Sequence, residues 1–520
     1  MNGAEGLIQT LAKAGVEVCF ANPGTSEMQL VAALDGAPEI RAILGLFEGV
    51  VTGAADGYGR MAGKPALTLL HLGPGLGNGL ANLHNAKRAR TPIINLVGDH
   101  ATTHLQYDAP LTSDLDGVAA PMSDWVRRSL SAADLANVGA SALQAAMRYP
   151  GAIATIIAPA DHAWDNGGEI ATVEAVNRPT FAGDPAPAAA ALQNANHPVL
   201  FLGGPTLNAD ALEIAGAIAA ATGARLVTET FCARLQRGAG RVVTERLPYF
   251  AEAATEFLAE TDVMVCIGAT PPVAFFAYPW KPSTLSPPSA SVVEYASARD
   301  NCQQALSTLA DLLGADTETV TTQTRQTHDV PPGPLDAKRI GFSLANHLPE
   351  QAIVSDEAAT AGLALYNITA SAEPHDWLML TGGSIGQGLP VAVGAAVACP
   401  DRKVIALQAD GGALYTVQSL WTMAREQLDI TVIIVNNASY AILNIELARV
   451  GVDAPGEKAL SLLDLSNPDI NWCDLARGFG LPAVRVDTAE TFDAALASAM
   501  HESGPRLIEA VITPAHKRGP

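Results

Sequence analysis

The sequence predicts an α/β protein built from three doubly wound parallel-sheet domains. Three observations lead there. Short apolar strands alternate with Ala-rich helical stretches, the pattern of a parallel sheet covered on both faces. Two Pro-containing stretches, NRPTFAGDPAPAAAALQNANHP and THDVPPGPLDAKR, interrupt the alternation and read as linkers. The blocks they leave, roughly 1–165, 186–325 and 335–520, are similar in size and pattern, which suggests one architecture used three times.

Bulk properties agree. The 520 residues favour two to four domains. Hydrophobic residues make up 48% and charged residues 16%, enough for a large core. A formal charge of -22 argues against a nucleic-acid surface, which needs clustered Lys and Arg, and fits a self-repelling cytoplasmic protein. The six cysteines are scattered without a CxxC pair, so neither a zinc site nor a disulfide framework is expected. The opening MNGAEGLIQTLAKAGVEVCF carries acids and reads as an amphipathic helix leading into a strand, not a signal peptide or a membrane span.

In block one the strands are VEVCFA, RAILGLF, PALTLLH, TPIINLVG and AIATIIAP. Block two has PVLFLGG, ARLVTET and VMVCIGA, and block three has AIVSDE, KVIALQAD, ITVIIVNN and RLIEAVI. The chemistry concentrates in block three. There the apolar run VIALQA ends on Asp410, directly before Gly411 and Gly412. A buried charge is costly unless it is paired or binds a metal, and glycines let a group approach the backbone closely. The next polar break at a strand end is Asn436-Asn437, after ITVIIV. Residues 412 to 435, 24 in all, leave room for one helix, ALYTVQSLWTMAREQ, and a return strand. Asp410 and Asn437 are therefore expected at the carboxyl ends of neighbouring parallel strands, where open α/β sheets bind ligands.

A carboxylate and an amide oxygen are hard ligands suited to Mg²⁺, which takes one or two carboxylates plus substrate phosphates. The amides of Gly411, Gly412 and Ala413 would face such a phosphate. Either feature alone reads as a solvated loop aspartate or an Asn-Asn turn. Together, at this spacing, they favour a metal–diphosphate site.

ADG, 24 residues, then NN resembles the signature of thiamine-diphosphate enzymes, with Ala409 in place of the usual first glycine. The resemblance covers nearly the whole chain. It implies Mg²⁺ held by the Asp410 carboxylate, the Asn437 side chain and the Ser439 carbonyl, with Tyr440 also against the cofactor. It implies that Glu48, opening EGVVTGAADGYGRMAGKPA, serves the aminopyrimidine N1′ of a cofactor held by the partner chain. On its own Glu48 could equally be a helix N-terminal glutamate favoured by the dipole. In TGGSIGQGLP the resemblance assigns the wedge under the bent cofactor to Ile385 and an acceptor for its 4′-amino group to the Gly383 carbonyl.

Within the superfamily, FANPGTSE and LLHLGPGLGN look like loops of benzoylformate decarboxylase, with acetolactate synthase second. Thr25 falls on the decarboxylase's substrate-contacting serine and His71 on its active-site histidine, with Asn22 and Gly24 in the same pocket. His71 could relay a proton or bind a substrate carboxylate. The decarboxylase's second histidine would fall in FFAYPW near Phe276, where there is none. His100 and His104 read as loop histidines. Ile442 and Leu443 would form apolar pocket walls with Glu446 one turn on, and the glutamate of pyruvate decarboxylase would fall at Leu443. Gly49 replaces the glutamine typical of acetolactate synthases, the tail ITPAHKRGP offers no long lid, and block two shows no flavin loop, so FAD is not expected.

The resemblance thus implies a thiamine-diphosphate- and Mg²⁺-dependent 2-oxo acid decarboxylase or carboligase. Its partners would be a 2-oxo acid, an aldehyde in carboligation, and a second copy of itself in a dimer or tetramer with the active site between chains. The alternatives are an acetolactate synthase-type carboligase and a non-catalytic cofactor-binding subunit, against which the presence of Glu48 speaks.

Overall fold

The computed structural model describes residues 1–452 and 454–512. The closing stretch after Ile512, and with it the reading that no lid follows, lies outside the described residues. Three sheets carry the fold. The first holds β1 (Val18–Asn22), β2 (Arg41–Leu44), β3 (Ala66–Leu70), β4 (Ile93–Asp99), β5 (Trp125–Arg128) and β6 (Ile153–Pro159), in the order β2-β1-β3-β4-β6-β5. All its pairings are parallel. The central segment supplies β7 (Pro198–Leu202), β8 (Arg225–Thr228), β9 (Leu235–Arg237), β10 (Glu245–Arg246), β11 (Val263–Ile267) and β12 (Ser291–Ala296). Five of them make a parallel sheet in the order β10-β8-β7-β11-β12.

The third sheet uses β13 (Ile353–Glu357), β14 (His375–Met379), β15 (Val404–Ala409), β16 (Ile430–Asn436), β17 (Ala483–Val486) and β18 (Arg506–Val511). Its order is β17-β18-β16-β15-β13-β14-β9. The seventh strand departs from the expected pattern. β9 leaves the central segment and pairs antiparallel with β14, setting Leu235 opposite Trp377 and Arg237 opposite His375.

Alternation along β15 and β16 sends side chains into two cores, because successive strand residues face opposite sides of a sheet. Ile405, Leu407, Ile433 and Val435 join a cluster that runs to Leu200 and Leu202 of the central sheet. Val404, Ala406, Val432 and Ile434 join another that runs to Phe20 and Val51 of the first unit. The third sheet is therefore the layer on which both other units pack.

The contact with the first unit is a close helix crossing. Helix Glu48–Ala62 meets helix Gly388–Ala398 through small residues. A Cβ on Gly394 would lie 1.9 Å from the Ala54 carbonyl oxygen, and one on Gly57 would lie 2.1 Å from that of Val391. The contact fixes where the helix beginning at Glu48 points. The single helix expected after Asp410 is broken into one turn at Asp410–Ala413, a 3₁₀ turn at Leu414–Thr416 and a helix at Ser419–Arg425. The break falls at Thr416, whose hydroxyl donates to the Gly386 carbonyl at 2.9 Å, and at β-branched Val417.

Candidate active site

The two motifs of the third block meet at the carboxyl ends of β15 and β16, which pair in parallel up to Ala409 opposite Val435. Asp410 is buried. Its Oδ1 accepts from the Gly411 amide at 2.9 Å and its Oδ2 from the Ala438 amide at 2.7 Å. The chain turns sharply after the strand because Ala438 takes a left-handed conformation, φ 52°, unusual for a residue with a Cβ. The turn is braced by the Asn437 side-chain oxygen, which accepts from the Ser439 amide at 2.9 Å. Burial pushes the Asp410 carboxyl up, and the amides of Gly411, Ala438 and Asn437 pull against it.

No ion pair to Asp410 occurs among the described residues, so its charge, when present, is balanced by backbone dipoles alone. Nor do three His, Cys, Asp or Glu side chains gather anywhere among them in a metal-binding group. A carboxylate and an amide oxygen just beyond neighbouring strand ends are hard donors of the kind Mg²⁺ shares with a diphosphate. The backbone beside it is bare by necessity. A Cβ on Gly411 would lie 2.3 Å from the Tyr440 ring, and one on Gly412 would lie 2.5 Å from Glu357 Oε1. These residues fit a magnesium diphosphate.

A second loop, 382–388, runs alongside. Gly383 and Gly386 both have left-handed backbones, φ 74° and 94°, and Ile385 between them is half-buried. Asn85 of the first unit pins the loop, donating to the Ser384 carbonyl at 2.7 Å and accepting from the Ser384 amide at 3.1 Å. The ring facing Gly383 is Phe275, whose Cζ would lie 2.6 Å from a Cβ there. Phe276 packs edge-to-face on Phe275, centroids 4.9 Å apart, and is exposed. In helix Ala441–Arg449, Ile442 is half-buried and Leu443 exposed. Glu446 accepts from the Tyr278 hydroxyl at 2.6 Å and so ties that helix to the central unit.

In the first unit, Glu48 opens its helix nearly buried and accepts from Asn78 Nδ2 at 2.9 Å. A Cβ on Gly75 would lie 3.0 Å from Glu48 Oε1 and 3.4 Å from His71 Cβ, so the glutamate and the histidine flank one glycine. His71 Nδ1 lies 2.8 Å from Glu27 Oε2, which also accepts from the Gly24 amide at 2.8 Å. Gly24 passes so close that a Cβ would fall 2.2 Å from His71 Nδ1. Thr25 is exposed at the start of the same turn, and Asn22 is half-buried at the end of β1. Burial pushes the fully buried Glu27 carboxyl up, while the Gly24 amide and His71 pull it down. His100 and His104 pack on each other, centroids 5.5 Å apart, in the loop after β4.

Sequence reading did not single out Glu27, Asn78 or Glu357. Glu27 closes the quoted loop FANPGTSE, and Asn78 closes LLHLGPGLGN. An acid at the end of a Gly-containing loop was the signal available for the first.

Fold and site together define a thiamine-diphosphate-dependent enzyme. The chain belongs to the thiamine pyrophosphate enzyme family. The family's N-terminal TPP binding domain matches residues 1–120 and its C-terminal TPP binding domain matches residues 359–510. Over 513 residues, 98% of this chain and 99% of the relative, it is 50% identical to the Mycobacterium tuberculosis protein named "Putative acetolactate synthase large subunit IlvX". It is 29% identical to benzoylformate decarboxylase of Pseudomonas aeruginosa, over 96% of this chain and 97% of that one. The structure of the thiamine diphosphate-dependent 4-hydroxybenzoylformate decarboxylase of Rhodococcus jostii RHA1 superposes with a TM-score of 0.86, at 25% identity over 99% of each chain. Enzymes of this family are carbon–carbon lyases and transferases, and the chain is one of them.

Proposed function

We propose that the protein is a Mg²⁺-dependent 2-oxo acid decarboxylase with carboligase capacity, of the benzoylformate decarboxylase kind. The observation that carries this reading is the 2.7 Å contact of Asp410 with the Ala438 amide, which joins the two oxygen-donor motifs at one sheet edge. Asp410, Asn437 and the Ser439 carbonyl would hold the metal, and the bare backbone at Gly411, Gly412 and Ala413 would take the diphosphate, with Tyr440 beside it. The Gly383 carbonyl and Ile385 would hold the other end of the cofactor. Bound there, thiamine diphosphate supplies a nucleophilic carbon and a ring that accepts the electron pair left when CO₂ departs.

The chain's own residues handle protons. Glu48 would exchange one with the aminopyrimidine N1′. Glu27, as a carboxylate, would accept a hydrogen bond from His71 Nδ1–H, and a doubly protonated His71 would then have its Nε2–H free to bind the substrate carboxylate or deliver a proton. Thr25, exposed next to Gly24, would contact the substrate, with Asn22 nearby.

A second reading, an acetolactate synthase-type carboligase, is favoured by the name of the relative that is 50% identical. One assay separates the two. Enzyme supplied with Mg²⁺ and thiamine diphosphate is given benzoylformate, 4-hydroxybenzoylformate or pyruvate, with and without an acceptor aldehyde. Decarboxylation yields CO₂ and an aldehyde, and the acceptor diverts product to a 2-hydroxy ketone. Acetolactate from pyruvate alone selects the second reading. A holoenzyme that releases no CO₂ from any 2-oxo acid refutes both.

A further inference from the structure

Glu357 ends β13 between the two loops assigned to the cofactor, and none of the proton chemistry above uses it. Its side chain is buried, with 4% of the residue exposed. Oε1 accepts from the Gly386 amide at 2.6 Å and Oε2 from the Gly388 amide at 2.5 Å. The same Oε1 lies 2.5 Å from the place a Cβ of Gly412 would occupy, so the carboxylate also abuts the diphosphate turn. No ion pair to it occurs among the described residues. Burial lifts its pKa to about 7 against the pull of the Gly386, Gly388 and Gln387 amides. Burying an acid without a cation is costly, and converging backbone donors are the compensation on view.

We propose that Glu357 is a positioning residue whose carboxylate clamps the Gly383–Gly388 loop against the Asp410–Ala413 turn and so sets the distance between the two ends of the cofactor site. Two acceptor oxygens are needed, because both groups facing them are donors. An amide in the same place would oppose an N–H with its own NH₂. Through Gly386 the clamp reaches Ile385 and Gly383, the residues given the wedge and the 4′-amino acceptor. The inference rests on that assignment of the two loops to thiamine diphosphate.

The test separates the two ends. Binding of Mg²⁺ with inorganic diphosphate probes the turn alone, whereas Mg²⁺ with thiamine diphosphate probes turn and loop together. Glu357→Gln keeps shape and volume, and Glu357→Asp keeps charge but is one methylene short. In both, inorganic diphosphate should bind within about twofold of wild type, while thiamine diphosphate affinity and the exchange rate of its C2 proton each fall about tenfold or more, the cost of a lost bond to a charged group. Equal weakening of both ligands, or no change in either, overturns the clamp. A measurement on the unaltered apoprotein covers variants that fail to fold. Hydrogen exchange followed by mass spectrometry should show the amides of Gly386 and Gly388 protected before any cofactor is added. Free exchange in the apoprotein, with protection appearing only on loading, also overturns the proposal. A wild type that binds no thiamine diphosphate refutes the functional reading instead and leaves the exchange result to judge the clamp.

Discussion

Glu48 combines two placements that a carboxylate rarely has together. It sits in the first turn of its helix, where the dipole favours negative charge by about 0.3–1 kcal/mol, and it is nearly buried with a single side-chain donor, Asn78. Glu48→Ala should therefore fold and still take up cofactor, whose diphosphate the proposed function anchors at the Asp410 turn. Exchange of the cofactor's C2 proton should slow by about 10²–10⁴-fold, the worth of a positioned acid–base group. Deuterium exchange followed by NMR reads this directly, and an unchanged rate removes the role. The placements of Glu48, Asp410 and Asn437 were legible in the sequence because each follows an apolar strand within a short, recognisable stretch. Glu27 was not, because what gives it meaning is His71, 44 residues further on. Glu357 was hidden for a similar reason. It reads as the last residue of AIVSDE until the amides of 386 and 388 close on it.

Among the elements, β5, β9, β10, β12, β14 and β17 were not legible in the sequence, and two of them show why. β14, with sequence HDWLM, opens on two ionisable residues, yet every position in it is buried. Its Asp376 is tolerated because Arg234 and Arg402 reach it from distant segments at 2.6 and 2.5 Å. β5, with sequence WVRR, was masked in the same way, its Arg127 pairing with Asp134 at 3.0 Å. The histidine of β14 has a measurable consequence. His375 Nδ1 lies 2.6 Å from the Glu373 carbonyl oxygen, its Nε2 is buried with no partner among the described residues, and burial with the Arg237 charge lowers its pKa from 6.5 to about 3. Between those values the unfolded chain binds a proton that the folded chain refuses. This histidine therefore costs stability as pH falls below 6.5, by about 1.4 kcal/mol per unit. Urea unfolding of His375→Gln at half-unit steps from pH 7.5 to 4.5 should give a stability curve shallower than wild type by about that slope below pH 6.5. Parallel curves would show that His375 gains its proton in the fold as readily as in the unfolded chain.

For the molecule as a whole, the geometry of Glu48 bears on assembly. Its helix is locked by Gly57 and Gly394 onto the third unit of its own chain, and its carboxylate bonds to Asn78 rather than to the loops around Gly383 or Asp410. The resemblance seen in the sequence has it serve a cofactor held by a second copy, which would make a dimer the smallest active unit. An obligate contact of that kind buries more than about 2,000 Å². Glu48→Ala and Asp410→Ala should each be inactive alone. Unfolded together in equal amounts and refolded, they should recover up to roughly a quarter of wild-type activity, since randomly paired dimers place both lesions in one site of each mixed pair and leave the other intact. Mixtures that stay inactive while each parent forms dimers would place both residues in one chain's site. The strand order could not be foreseen at this scale, because the partner of β9 is supplied by β14, roughly 140 residues away. That loan binds the history of the chain as well as its shape. Recombination or engineering that exchanged the central unit for a foreign one would strip the third sheet of its last strand and bare the backbone beside Trp377, an open invitation to edge-to-edge aggregation. All three units are built on parallel sheets, but the central one has a strand order of its own, and they are not interchangeable modules.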